Sequence, residues 1–185
     1  MSGHSHFSTI KRKKELTDKK RGQIFSKLTR MISVAVKEKG PDPALNPMLK
    51  LAIEKAREAN MPKENIERAV KQAESKQESD KLEEVIYEAY GPGGAAVIIE
   101  GITDNKNRTL GEIKKILTDY QAKMVGEGGA RWLFERKINK ENNTLEWFPK
   151  QEIDLPEKDK QACQSLFEAL DENEAVQEIY SNIKQ

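Results

Sequence analysis

The stretch Glu84–Glu100, EVIYEAYGPGGAAVIIE, decides the fold. Glu84–Tyr90 follows a period of two and Ala95–Glu100 is a buried apolar run, so both read as strands. Gly91-Pro92-Gly93-Gly94 between them reads as a turn. A glycine-rich turn invites a nucleotide-binding assignment, but this one lacks the GK[ST] of a phosphate loop. Pro92 also removes an N–H that could hold phosphate.

Downstream, DNKNR (104–108) leads into a helix in which Thr109 and Glu112 form a capping box, with Leu110, Ile113, Ile116 and Leu117 inward. Ala130–Lys137 is a third strand and Thr144–Phe148 a fourth. Pro156 begins a helix with Ala162, Leu166, Ala169 and Leu170 inward, and Ala175–Tyr180 is a last strand. The order ββαββαβ predicts an α+β sandwich, with helices on one face of a mainly antiparallel sheet. Val125–Gly129 (VGEGG) is no dinucleotide fingerprint, because no helix follows it.

Upstream, the period lengthens to that of a helix. Thr17 or Asp18 can cap a first helix whose Ile24, Leu28, Met31, Ile32 and Ala35 share one face. Lys19, Lys20, Lys27, Arg30 and Lys37 form a cationic stripe about 100° wide beside that face. Gly40-Pro41 stops the helix, and Asn46-Pro47 starts a second, with Met48, Leu49, Ala52, Ile53 and Ala56 turned inward. Asn60 ends it in a left-handed conformation. Pro62 opens a third helix carrying Ile66, Ala69 and Val70. Each is too short to stand alone, so the three bundle. Glu74–Lys81 has no apolar residue and reads as a polar connection. The expected organisation is an arm and three-helix domain over 1–76, a linker over 77–82, and an α+β domain over 83–185.

Charge divides the chain in the same place. Residues 1–76 hold 18 Lys and Arg against 9 Asp and Glu, a net +9, and the remainder holds 14 against 22, a net −8. Nine of those cations lie within Gly3–Arg30, beside both histidines. Residues 1–17 have no apolar period and read as an arm that orders against a partner. Such a density of like charge is costly unless a polyanion meets it, and a phosphate backbone does so with release of counterions. The plain alternative is a solvated basic tail.

Few other classes survive. Cys163 is the only cysteine, so no internal disulfide forms and a reducing compartment follows. The start lacks the apolar core of a secretory signal, no run is long enough to span a bilayer, and Ser2 excludes N-myristoylation. A cytoplasmic protein is expected. Catalysis finds no constellation, since Cys163 has no histidine in any neighbouring predicted element. After loss of Met1, Ser-Gly-His would suit Cu(II) or Ni(II), which reads as a purification hazard. No metal, cofactor or small-molecule substrate is expected. His4 and His6 can bond phosphate or ribose or stack on a base, and Phe7 either stacks on a base or anchors the arm to the bundle. Lys106 and Arg108 sit where a helix N-terminus favours anions, a secondary contact set against a merely structural loop.

Several stretches together carry a family resemblance: GHS (3–5), KRGQIF (20–25), DPALNP (42–47), NMPKENIERAV (60–70), YEAYGPGGAAV (87–97), TDNKNRT (103–109), LFERK (133–137), EWFPK (146–150) and VQEIYSN (176–182). With them the chain resembles the YebC/PmpR family over nearly its whole length. The resemblance implies a helical first domain, α/β domains after it, and a non-enzymatic role in gene expression. Members are described as DNA-binding transcriptional regulators, and others as ribosome-associated factors that relieve stalling at proline-rich sequences. Two departures stand out. His6-Phe7 replaces the usual Lys-Trp, and Ile138–Asn143 passes almost directly to LEWFPK, where the family usually inserts a third domain. That domain is inferred to be absent.

The combined expectation is a regulator that binds DNA through its arm and first helix. Its nucleic-acid contacts would be His4, Ser5, Phe7, Lys11, Arg12, Lys13, Lys14, Lys19, Lys20, Arg21, Lys27 and Arg30. Binding of rRNA or tRNA on the ribosome is the alternative, and a protein-interaction module using the acidic second domain is the third.

Overall fold

The first helix, α1 (Asp18–Lys39), starts and stops where its sequence directs. Leu28, Ile32 and Ala35 are buried on its apolar face, with Ile24 and Met31 partly so. Burying each large side chain contributes roughly 1.5–3 kcal/mol. Gly40, at φ +84°, closes the helix by donating its N–H to Val36 O at 2.7 Å. Asn46 then caps α2 (Pro47–Glu58), its Oδ1 accepting from Leu49 N at 3.0 Å. Its Nδ2 donates to Ala35 O at 2.7 Å and Gly40 O at 2.8 Å, so one fully buried amide caps α2 and holds the end of α1. Asn60 takes φ +58°, and α3 (Lys63–Glu74) follows Pro62. Leu49, Ala52, Ala56, Ile66, Ala69 and Ala73 complete this core.

The computed structural model describes residues 6–8, 18–75, 81–142 and 144–184, with side chains described outside 6–8 and Lys19. It divides into two compact units. The helical unit takes 18–75, 81–84 and Ile102–Lys106 of the described residues. The α+β unit takes 6–8, Val85–Gly101, 107–142 and 144–184.

The α+β elements follow a simple logic. Strands β2 (Glu83–Tyr90) and β3 (Ala96–Thr103) flank a 3-10 turn at Pro92–Gly94. Helix α4 (Lys106–Asp119), strand β4 (Lys123–Val125), the hairpin of β5 (Phe134–Asn139) and β6 (Thr144–Pro149), helix α5 (Glu157–Asp171) and β7 (Val176–Ser181) complete it. With β1 (His6–Ser8) the main sheet has the order β1-β7-β3-β2-β4. Val97 and Ile99 lie in one core with Ile113 and Leu117 of α4 and Leu166 and Leu170 of α5. Ala96, Ile98 and Tyr180 lie in another, with Phe134 and Trp147 of the hairpin. Helices cover one face as expected, and the hairpin covers the other.

Four details differ from the sequence expectation. His6–Ser8, read as part of a free arm, pairs antiparallel with β7, Phe7 opposite Ile179. By its backbone Phe7 therefore belongs to the α+β unit. Lys123–Val125 is a strand paired antiparallel with β2, too short to show a period. The β5–β6 hairpin forms a separate two-stranded sheet, and its first strand begins at Phe134, after a 3-10 turn at Arg131–Leu133. Finally, α4 begins at Lys106, where Thr103 Oγ1 accepts from Asn105 N at 3.0 Å. Thr109 is thus inside the helix and buried, not its cap.

Gly101 sits at a register shift in the β3–β7 ladder. A Cβ there would lie 2.7 Å from the carbonyl oxygen of Ala175 and 3.2 Å from Val85 Cγ2. Backbone cannot step aside cheaply, so Gly101→Ala is expected to lower stability by roughly 1–3 kcal/mol in urea denaturation. A wild-type midpoint would contradict this packing.

Candidate nucleic-acid interface

The residues expected to meet phosphate do not share one environment. His4, Ser5, Lys11, Arg12, Lys13 and Lys14 lie outside the described residues. Phe7 is fixed by its backbone in β1, and Lys19 by its backbone in the first turn of α1. Lys20 and Arg21 are exposed there, Arg21 Nη1 lying 3.6 Å from Asp18 Oδ1. That exposed pair is worth little and leaves Arg21 able to turn to another anion.

Farther along α1 the expected stripe breaks. Lys27 is only 5% exposed, which corrects its assignment to an open cationic face. Its place at the edge of the apolar arc carries the aliphatic stem inward, as long cationic side chains allow. Arg30 is half-buried and donates from Nη1 to Ile102 O at 3.0 Å within the helical unit, so its guanidinium already serves the fold. Lys37 is exposed, its Nζ 3.5 Å from Leu82 O.

The second anion contact is similarly occupied. Lys106 Nζ pairs with Glu83 Oε2 at 2.5 Å, and this hydrogen bond and charge together hold the Glu83 carboxyl below its ordinary pKa. Arg108 Nε lies 3.6 Å from Glu112 Oε1. An incoming phosphate would compete with a carboxylate at each.

The most constrained charged centre was not anticipated. Glu88, 3% exposed, accepts from Gly128 N (2.8 Å), Ala130 N (2.9 Å) and Arg131 N (2.7 Å). Arg131 Nη2 adds an ion pair at 3.0 Å. Burial alone would raise its pKa, but the three N–H groups and the guanidinium outweigh it, and the value is lowered. Arg131 also lies 5.8 Å from the Trp147 ring centroid, with Arg136 at 5.2 Å. Trp147 Nε1 in turn donates to Glu100 Oε1 at 2.8 Å. This network pins the Gly126–Arg131 loop and the hairpin. Nothing in the sequence signals it, because Glu88 occupies an ordinary polar position of a period-two strand.

Catalytic chemistry finds little here. Cys163 is buried against Pro92 O (Sγ to O 3.4 Å), and burial, with Asp159 nearby, pushes its thiol up to about 11. It is a packing residue, not a thiolate at neutral pH. Among the described residues no His, Cys, Asp and Glu cluster could hold a metal ion, and no helix is long and apolar enough to cross a membrane.

Comparison with known proteins assigns the whole span. Residues 5–76 match the family model described as the TACO1/YebC protein N-terminal domain. Residues 82–139 and 137–183 match the TACO1/YebC second and third domain. A relative from Trichlorobacter lovleyi, named "Probable transcriptional regulatory protein", is 51% identical over 137 residues, 74% of this chain and 56% of the relative. One from Petrotoga mobilis with the same name is 43% identical over 180 residues, 97% of this chain and 69% of the relative. The chain thus spans little more than half the length of several curated relatives it matches. The crystal structure of the conserved hypothetical protein Aq1575 from Aquifex aeolicus superposes with a TM-score of 0.84 at 32% identity, covering 96% of each chain. By family models spanning both units, the chain belongs to the TACO1/YebC family.

Proposed function

We propose that this protein is a non-enzymatic regulator of gene expression that binds DNA through the basic segment Lys11–Lys14 and the exposed first turn of α1. The observation that carries the reading is the charge division: +9 over residues 1–76 against −8 beyond them. The names borne by its relatives, probable transcriptional regulatory protein, favour DNA as the target. Lys20 and Arg21 contact phosphate in this reading, while Lys27 and Arg30 hold α1 in place. No bond is made or broken; the cations position the protein on a polyanion. The protein acts in the cytoplasm, and the third domain of longer relatives is reduced here to the turn between β5 and β6.

A second reading, binding of rRNA or tRNA on the ribosome, has its own support. Burial of Lys27 and the bond from Arg30 to Ile102 O leave α1 without a continuous cationic face to lie in a DNA major groove. Cations in the basic segment Lys11–Lys14 and at one helix end suit irregular RNA. Sedimentation of the tagged protein from lysate through sucrose at low and raised salt separates the two. The DNA reading expects absence from ribosomal fractions and salt-sensitive DNA binding that is lost with Lys11–Lys14→Ala. Co-migration with ribosomal subunits, abolished by the same substitutions, favours RNA. Unchanged binding of every partner by that variant would sink both.

A further inference from the structure

We infer that Trp132 and Lys150 form a second nucleic-acid contact on the α+β unit, which stacks one unpaired base and holds its phosphate. The inference rests on the nucleic-acid reading above and adds a site outside the basic segment. Trp132 is 63% exposed, the largest side chain among the exposed apolar residues described.

Its exposure is built in. Ala130 and Phe134 on either side are buried, and Leu133 packs against the same core. The turn itself is fixed by Leu133 N donating to Ala130 O (3.1 Å) and by Glu88 holding the N–H groups of Ala130 and Arg131. Lys150 N donates to Leu133 O at 2.9 Å, and Lys150 Nζ to Trp132 O at 2.8 Å. The indole is therefore displayed from a backbone that loses little freedom on binding, which is what a stacking platform requires.

The charges around it are sorted. Arg131 is taken by Glu88 and Glu127, and Glu135 by Lys137. The ammonium of Lys150 is exposed and makes no ion pair among the described residues, holding only a backbone carbonyl. An aromatic face beside an uncompensated cation matches a nucleotide, with the base on the ring and the phosphate on the ammonium. A paired base cannot offer its face, so the site selects single strands or loops.

Fluorescence anisotropy of labelled single-stranded and duplex oligonucleotides with the full chain tests this. Trp132→Ala is expected to weaken single-strand binding about ten-fold, while duplex affinity and Tm stay at wild-type values. Trp132→Phe restores most of the loss, and Lys150→Ala lowers the salt slope by about one contact. Lys11–Lys14→Ala weakens both nucleic acids alike. If Trp132→Ala binds single strands as the wild type does, the stacking site is overturned and the broader reading stands. If the wild type binds neither nucleic acid, both fall. Loss of a protein partner with unchanged oligonucleotide binding would assign the patch to that partner and overturn the inference.

Discussion

Asn46→Asp is expected to cost the helical unit on the order of 4 kcal/mol, a large part of the 5–15 kcal/mol typical of a folded domain. The substitution is nearly isosteric, so it removes chemistry and leaves shape. The carboxylate would still accept from Leu49 N, but it has no proton to give Ala35 O and Gly40 O. Both carbonyls would face a negative charge at a fully buried position. Asn46→Ser keeps the cap and one donor and is expected to lose less. Urea denaturation followed by far-UV circular dichroism measures both. An Asn46→Asp midpoint equal to wild type would show that the amide does not join the helices.

The second large effect is at Glu88. Replacement by Ala strips the acceptor from three N–H groups and leaves Arg131 without its buried partner. A loss of roughly 3–5 kcal/mol is expected, as for other broken buried charge pairs. Amide exchange at Gly128, Ala130 and Arg131 should accelerate before the rest of the sheet opens. The sign of the pH dependence follows from the lowered pKa. Stability from this carboxylate is complete above the unfolded carboxylate range and is lost as pH falls through the lower native value. Glu88→Gln should therefore flatten the acid limb of the stability curve, and a limb as steep as the wild type's would assign it to other groups.

The helical unit was legible because its signals are local. Asn46-Pro47, Gly40-Pro41 and Asn60 each act within a few residues of themselves, and the Leu28, Ile32 and Ala35 face needs only a period. Strands β2 and β3 were readable for the same reason. Features set by distant partners were not. Three-residue strands at both sheet edges have no period to detect, and their pairing partners are remote in sequence. The hairpin's separation into its own sheet depends on Trp147 and Phe134 packing across Ile98, which alternation within β5 and β6 does not encode. Within the basic stripe, Lys27 departs from its expected place, because a long stem at the border of the apolar arc can turn to either side. Lys27 counts as a cation in the sequence, yet the fold takes it inside.

The sheet order has a bearing on how the protein is made. Strand β7 follows every other described strand in sequence, yet it occupies the interior position between β1 and β3. Its pairing with β1 joins position 7 to position 179. On a translating ribosome the core residues 28–73 emerge early and can pack while synthesis continues. The sheet cannot close until Ser181 has cleared the exit tunnel, and until then β3 keeps an open edge toward the missing β7. Vectorial synthesis thus separates the two units in time, with the long-range β pairing the slow and aggregation-prone step.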